Sequence, residues 1–314
     1  VRPSRELFAL AAALLLLSAT LLLAKQALSA GEPAVPRKGV NLSNRSLLDV
    51  LNDVQMENIK EHVKYFSSLG SRVTGYPGSY LAAEYIANYF SKLGLKVVVQ
   101  TYPTVVPYDY GSGVYLPSIN TSLKAYALWP RGGIQEQVVA GLKGKLYYVG
   151  KGEWEDLNGK DLAGAILLMD FNSGKNWLRA VSLGAKAVIF IEPDATDKYE
   201  ALAKGTAVPL NVPLLYVDKE AGELLKKAAS RQEEVVLHSN LRWRVINATN
   251  VIGVLEGESP HDVVLISAHY DSWSIVPALS PASENAVSSA VLLELARVLS
   301  QRKGELRRSV WFVA

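Results

Sequence analysis

Apolar and polar positions fall into distinct textures along the chain. Phe8 to Ala24 is an uncharged run of mostly Leu and Ala, preceded by Arg2 and Arg5 and closed by Lys25. Such a run is about the shortest that crosses a bilayer as a helix, and long for the core of a signal peptide. From Ser46 to Leu95 the spacing turns helical, with Val54, Ile59, Val63 and Phe66 on one stripe. The Gly- and Pro-containing break LGSRVTGYPGS interrupts it, and a second helix is predicted from Tyr80 to Leu93. Lys96 to Tyr102 reads as a strand, and Tyr108 to Asn120, rich in Gly, Tyr and Pro, as a crossing between domains.

Between Leu123 and Arg244 the pattern consists of short β-rich runs: KLYYV, GAILLMD, AKAVIFIE and VPLLYVD. The segment Ser173–Leu183 and a helix over Lys219–Ala229 separate them, which predicts a small β-rich domain with one or two helices. From Asn250 onward NVIGVLEG and DVVLISA are near-continuous apolar runs, the texture of strands covered on both faces. A predicted helix over Asn285–Ser300 places Val287, Val291, Leu295 and Val298 on one face, with Glu294, Arg297 and Gln301 on another. Ser309–Ala314 is a further strand, so strand, loop, helix and strand form the crossover of a parallel pair.

Composition changes the picture in two places. The 314 residues carry a formal net charge of only +3, which gives no basic surface for nucleic acid. There is no cysteine, so disulfides, thiolate metal sites and cysteine nucleophiles are excluded. Compartment therefore rests on the N-terminus. The positive-inside rule places Arg2 and Arg5 in the cytoplasm and the chain after Lys25 outside. The segment is either a membrane anchor or, with small residues at Ala27–Gly31, a cleaved signal; the protein is then membrane-anchored with an extracytoplasmic domain, or secreted. Sequons at Asn41, Asn44, Asn120 and Asn247 agree with export.

Candidate chemistry concentrates at His269, directly after the apolar strand Val263–Ala268. The carboxyl edge of an open α/β sheet is where ligands bind. Neutral imidazole is a zinc ligand, and a carboxylate two residues on, Asp271, can fix its tautomer by taking the other ring proton. Glu284 opens the following helix and points back to the same edge, with Ser283 as the N-cap. His62 reads as part of a solvated helix face between Glu61 and Lys64, while His238 and His261 have no partner at ligand spacing.

The order AHYDSW, SPASENAVSSAVLLELARVLS and RRSVWFVA resembles the two-zinc aminopeptidase family. That family includes bacterial leucyl aminopeptidases, glutamate carboxypeptidase and the transferrin receptor ectodomain. GKDLAGAILLMD, SLGAKAVIFIEP and VPLLYVD resemble an inserted protease-associated domain, and LGSRVTGYPGS resembles the family's N-terminal portion. Besides the membrane-spanning helix read from the N-terminal run, the resemblance implies an α/β fold with a partial, open, mostly parallel sheet of zinc-peptidase type. It divides the chain into signal anchor or signal peptide (1–30), linker (31–45), N-terminal part of the peptidase domain (46–122), protease-associated domain (123–244) and incomplete peptidase domain (245–314).

Carried over by position, His269 would ligate one of two zinc ions and Asp271 would orient it. Glu284 stands where the family has a bridging aspartate, with a cis peptide expected at Glu284–Asn285. Val287 and Ser288 replace the family's usual Ser-Gly. The paired glutamates, a later acidic ligand and a final histidine are expected beyond Ala314, so the chain reads as truncated within its peptidase domain. A catalytic zinc needs three protein ligands and a water, and two candidates do not make a working centre. The expected parent activity is removal of N-terminal residues from peptides. The alternatives are a non-catalytic binding ectodomain of the same fold, or a recognition module on a stalk. Peptide or protein substrates and the membrane are the expected partners, without nucleic acid.

Overall fold

The computed structural model describes residues 50–130, 136–205, 210–280 and 284–314. The chain divides into units Val1–Leu51 and Asn52–Ala314, and the strands and helices from Met56 onward lie in the second. The apolar run Phe8–Ala24 lies outside the described residues, as do the linker, Asn41, Asn44 and Ser283. Among the described residues no helix is long and apolar enough to cross a membrane.

Two long strands organise the unit. β1 (Lys96–Asp109) and β8 (Glu234–Leu255) pair antiparallel from Lys96 opposite Val254 to Asp109 opposite Leu241. The first part of β8 also joins β2 (Ser112–Leu116), β3 (Thr121–Ala127), β4 (Gln137–Tyr148), β5 (Ile166–Asp170), β6 (Ala187–Ile191) and β7 (Leu214–Val217). Their pairings run β8–β2–β3–β7–β6–β5–β4 and return to β8, a closed circuit that leaves these strands few free edges. Strand alternation then divides the side chains between two cores. Ile166 and Leu168 join Val114 and Leu237 in one, while Leu167 and Met169 join Trp177 and Phe190 in the other. Burial on both faces explains why GAILLMD and AKAVIFIE are continuous apolar runs rather than alternating ones. Short helices α3 (Trp154–Leu157), α4 (Asn176–Ser182), α5 (Lys198–Ala203) and α6 (Lys219–Ser230) intervene.

The last residues of β8 belong to a second layer. Helices α1 (Met56–Ser68), α2 (Pro77–Lys92) and α7 (Ala286–Ser300) join the ends of β8, β9 (Ser259–Ser267) and β10 (Arg308–Val313). Phe66, Ile86, Phe90, Val251, Leu293 and Phe312 form its core. Pro77 starts α2 at a position where its missing N–H is no loss. Gly78 is demanded by contact, because a Cβ there would lie 2.4 Å from the Ser71 carbonyl oxygen. β9 and β10 are parallel with α7 between them, as the strand–helix–strand order predicts. β10 meets β8 antiparallel, so the sheet is mixed.

Several expectations are corrected. Tyr108–Asn120 is not an irregular crossing: it holds the end of β1, all of β2 and a 3₁₀ turn at Pro117–Ile119. β9 is not covered on both faces. It ends the strand order, and Val263, Val264 and Leu265 are exposed, so its apolar run does not report burial here. In α7, Val287 and Val291 face outward while Ala286, Ala290, Leu293 and Ala296 face the core. The buried stripe follows small residues that let α7 sit close to its neighbours. It also brings in Glu294, only 1% exposed, which is held by Arg297, the Gln55 N–H and Asn58. His62 is buried, not solvated; its Nδ1 lies 2.8 Å from the Tyr85 hydroxyl, and Tyr89 packs edge-on against its ring.

Candidate functional site

His269 and Asp271 follow β9 at its carboxyl end, where the sequence places them. The His269 ring is exposed, and its Nδ1 lies 2.9 Å from Asp271 Oδ1. With Nδ1 directed at Asp271, Nε2 is the ring nitrogen whose lone pair is left for a ligand. Thr74, from the break between α1 and α2, donates to the other carboxylate oxygen, Oδ2, at 2.9 Å. The intervening Tyr270 points the opposite way into the core. Burial, with Asp271 close by, raises its phenol to about 12, and its hydroxyl donates to the Thr249 carbonyl.

Glu284 reaches the same edge but does not open the helix. α7 begins at Ala286 with Asn285 as N-cap. The expected cis bond at Glu284–Asn285 is absent: the described residues contain no cis peptide, and the chain turns instead through Asn285 in the left-handed region, φ 50°. Asn tolerates this conformation better than most residues. Its Nδ2 donates to the His269 carbonyl, as does the Ser289 hydroxyl at 3.0 Å. The Glu284 carboxylate accepts from the Trp273 N–H at 2.9 Å. Among the described residues, no three His, Asp or Glu side chains gather in a group able to hold a metal. The donor chemistry fits part of a zinc site, a backed imidazole and a nearby carboxylate on the same edge.

The break LGSRVTG supplies what the sequence reading missed. Arg72 is fully buried, and its guanidinium donates to Phe66 O at 2.7 Å, Tyr270 O at 3.1 Å and Glu284 O at 2.5 Å. It thus ties the segment carrying His269 and Asp271 to the one carrying Glu284. Burial lowers its pKa, opposed by the carboxylates of Glu284 and Asp271. Ser71 donates to Pro277 O and the Ser272 N–H to Arg72 O, fastening the same turn to the loop after His269. The only hint in the sequence is an arginine inside a turn bounded by Gly70 and Gly75, far from any acidic partner. A cavity of about 160 Å³ adjoins the pair, lined by Thr74, Tyr80, Tyr102, Asn247, His269 and Asp271 among others.

Residues 250–314, which hold β9, His269, Glu284, α7 and β10, match peptidase family M28. No curated protein matches the chain significantly. Among solved structures, a zinc aminopeptidase from Bacillus subtilis is 24% identical over 83% of this chain, with a TM-score of 0.54. A peptidase M28 precursor from Shewanella amazonensis SB2B is 17% identical over 86% of the chain, with a TM-score of 0.50. These likenesses are of fold, and they extend the mixed α/β architecture of an M28 peptidase well beyond the matched segment. The chain spans 61% of the length of the Bacillus protein and 66% of the Shewanella protein.

Proposed function

We propose that this chain carries one half of a two-zinc aminopeptidase centre. His269 would hold one ion through Nε2, Asp271 would fix the ring, and Glu284 would take the carboxylate position between the ions. The observation that carries this reading is the 2.9 Å contact of Asp271 Oδ1 with His269 Nδ1 at the carboxyl end of β9. A metal-ligating imidazole ordinarily has this support behind it. The M28 match over residues 250–314 and the zinc aminopeptidase from Bacillus subtilis among the structural likenesses agree with it. Bound there, zinc would supply a Lewis acid for a peptide carbonyl and an activated water. The chain's own residues hold the imidazole in its donor orientation and keep the Glu284 segment beside it through Arg72.

Among the described residues the proposed ligands are His269 and Glu284, one short of the three that a catalytic zinc needs, so we expect no peptide hydrolysis from them alone. The wider reading is of an exported protein, anchored by or cleaved after the run Phe8–Ala24. Its 123–244 segment would be a protease-associated domain, and its substrates peptides. Calorimetry with zinc tests the centre: binding by the wild-type chain and its loss in His269→Ala are expected, and equal binding by both would overturn the assignment. Zinc-dependent release of an aminoacyl chromophore by this chain alone would overturn the inactivity.

A second reading, a binding ectodomain of the same fold, is favoured by the engagement of the Glu284 carboxylate with the Trp273 N–H. On that reading zinc would not bind at His269.

A further inference from the structure

We propose that Thr74 is a positioning residue that sets the tautomer of His269 through Asp271, an inference that rests on reading His269 as a metal-facing imidazole. A carboxylate held at one oxygen swings about its terminal torsion, which has broad, shallow wells. Asp271 is held at both. Oδ1 faces His269 Nδ1 at 2.9 Å and Oδ2 accepts from Thr74 Oγ1 at 2.9 Å. The Asp271 side chain is 44% exposed, so without Thr74 water would compete for Oδ2 and the carboxylate plane would be free to turn.

Thr74 is itself fixed. Its branched Cβ restricts χ1. Its turn is pinned to the loop after His269 by Ser71 to Pro277 O at 2.6 Å, by Ser272 N–H to Arg72 O at 3.1 Å and by the Arg72 guanidinium on Tyr270 O. The hydroxyl therefore arrives at Asp271 from a rigid element, which a water would not. The result is an imidazole protonated at Nδ1 with the Nε2 lone pair turned outward. Were the carboxylate free, the ring would drift toward the Nε2–H form, whose outward nitrogen has no lone pair to offer a metal.

The test uses the full chain with ¹⁵N-labelled imidazoles, in which only four histidines need assignment, and reads the tautomer of each at alkaline pH where the rings are neutral. Wild type is expected to hold His269 mainly as Nδ1–H. Thr74→Val keeps the shape and removes the donor, so the ratio of Nδ1–H to Nε2–H should fall about fivefold, the worth of one ordinary hydrogen bond. Thr74→Ser should retain the wild-type ratio. Should the valine variant fold poorly, Thr74→Ala removes the hydroxyl without adding an atom, and the same fall is expected. An unchanged ratio in Thr74→Val or Thr74→Ala, or a loss in Thr74→Ser as large as in valine, overturns the proposal. Failure of the metal reading looks different: zinc added to the wild type would leave the His269 Nε2 resonance in place while the tautomer still followed Thr74.

Discussion

Replacing Arg72 with Met keeps the apolar stem of the side chain and removes the guanidinium. In the folded protein this takes donors from Phe66 O, Tyr270 O and Glu284 O, of which the first two bonds are buried. A buried acceptor left without a partner costs about 1–3 kcal/mol, and bonds from charged donors lie toward the upper end. Tyr270 O is such an acceptor, Phe66 O keeps only a 3.4 Å bond from the Leu69 N–H, and the part-buried Glu284 carbonyl recovers some solvation from water, which puts the loss at about 2–4 kcal/mol. Domains typically have about 5–15 kcal/mol in all, so the variant should be visibly closer to unfolding. Urea unfolding followed by far-UV circular dichroism measures it. Arg72→Lys should fall between the two, because one ammonium cannot copy a planar fork that serves three carbonyls in different directions. A loss below about 1 kcal/mol for the methionine variant would refute the reasoning, since it would mean that water or neighbouring N–H groups replace the guanidinium at no cost.

Other outcomes follow from the same geometry. Glu294→Ala takes the shared carboxylate from Arg297, Asn58 and the Gln55 N–H, while Arg297 keeps Asp53 O and Asn58 keeps the Gln55 side chain, and denaturant unfolding should show a loss of about 2–4 kcal/mol. Burial lowers the pKa of His62 below its ordinary 6.5, opposed by Glu294 and Glu61. The unfolded chain then takes up the proton first, so the stability due to neutral His62 is full above pH 6.5 and is lost as pH falls toward the lower folded value. Unfolding free energies measured across that window should decline more steeply in wild type than in His62→Gln. Gly78→Ala should destabilise by about 1–3 kcal/mol, because its Cβ would displace backbone at Leu69 and Ser71, and thermal unfolding reads this directly.

What the sequence makes legible is what depends on near neighbours. The runs around Leu167, Ile189 and Leu215 announce strands because each is buried on both faces along its own length. His269 and Asp271 are readable because the carboxylate that supports the ring is two residues away. Thr74 and Arg72 are not, because the site partners Asp271, Tyr270 and Glu284 lie 197 to 212 residues further on and nothing local points to them. Glu294 and His62 mislead in the same way. A charged or titratable residue on a helix reads as solvent-facing until its distant partners, Gln55 and Asn58 for one and Tyr85 for the other, are placed around it. The outward Val287 and Val291 show the converse, where β-branched residues draw attention and the Ala and Leu positions set the packed face.

β8 reaches across both layers, and this has a consequence in time. Its 22 residues take partners from β1 and β2 before it, from β4, and finally from β10 after it. During synthesis β1 has nothing to pair with until residues 241–254 emerge, and the Arg72 guanidinium meets Tyr270 and Glu284 later still. At about 5–20 residues per second, the first two helices wait on the order of ten seconds or more with their apolar faces and one strong cation unhoused. The closed circuit of strands, whose members lie between residues 112 and 241, can assemble during that interval. The edge that carries His269 thus forms after the circuit, sealed onto a framework that is already standing.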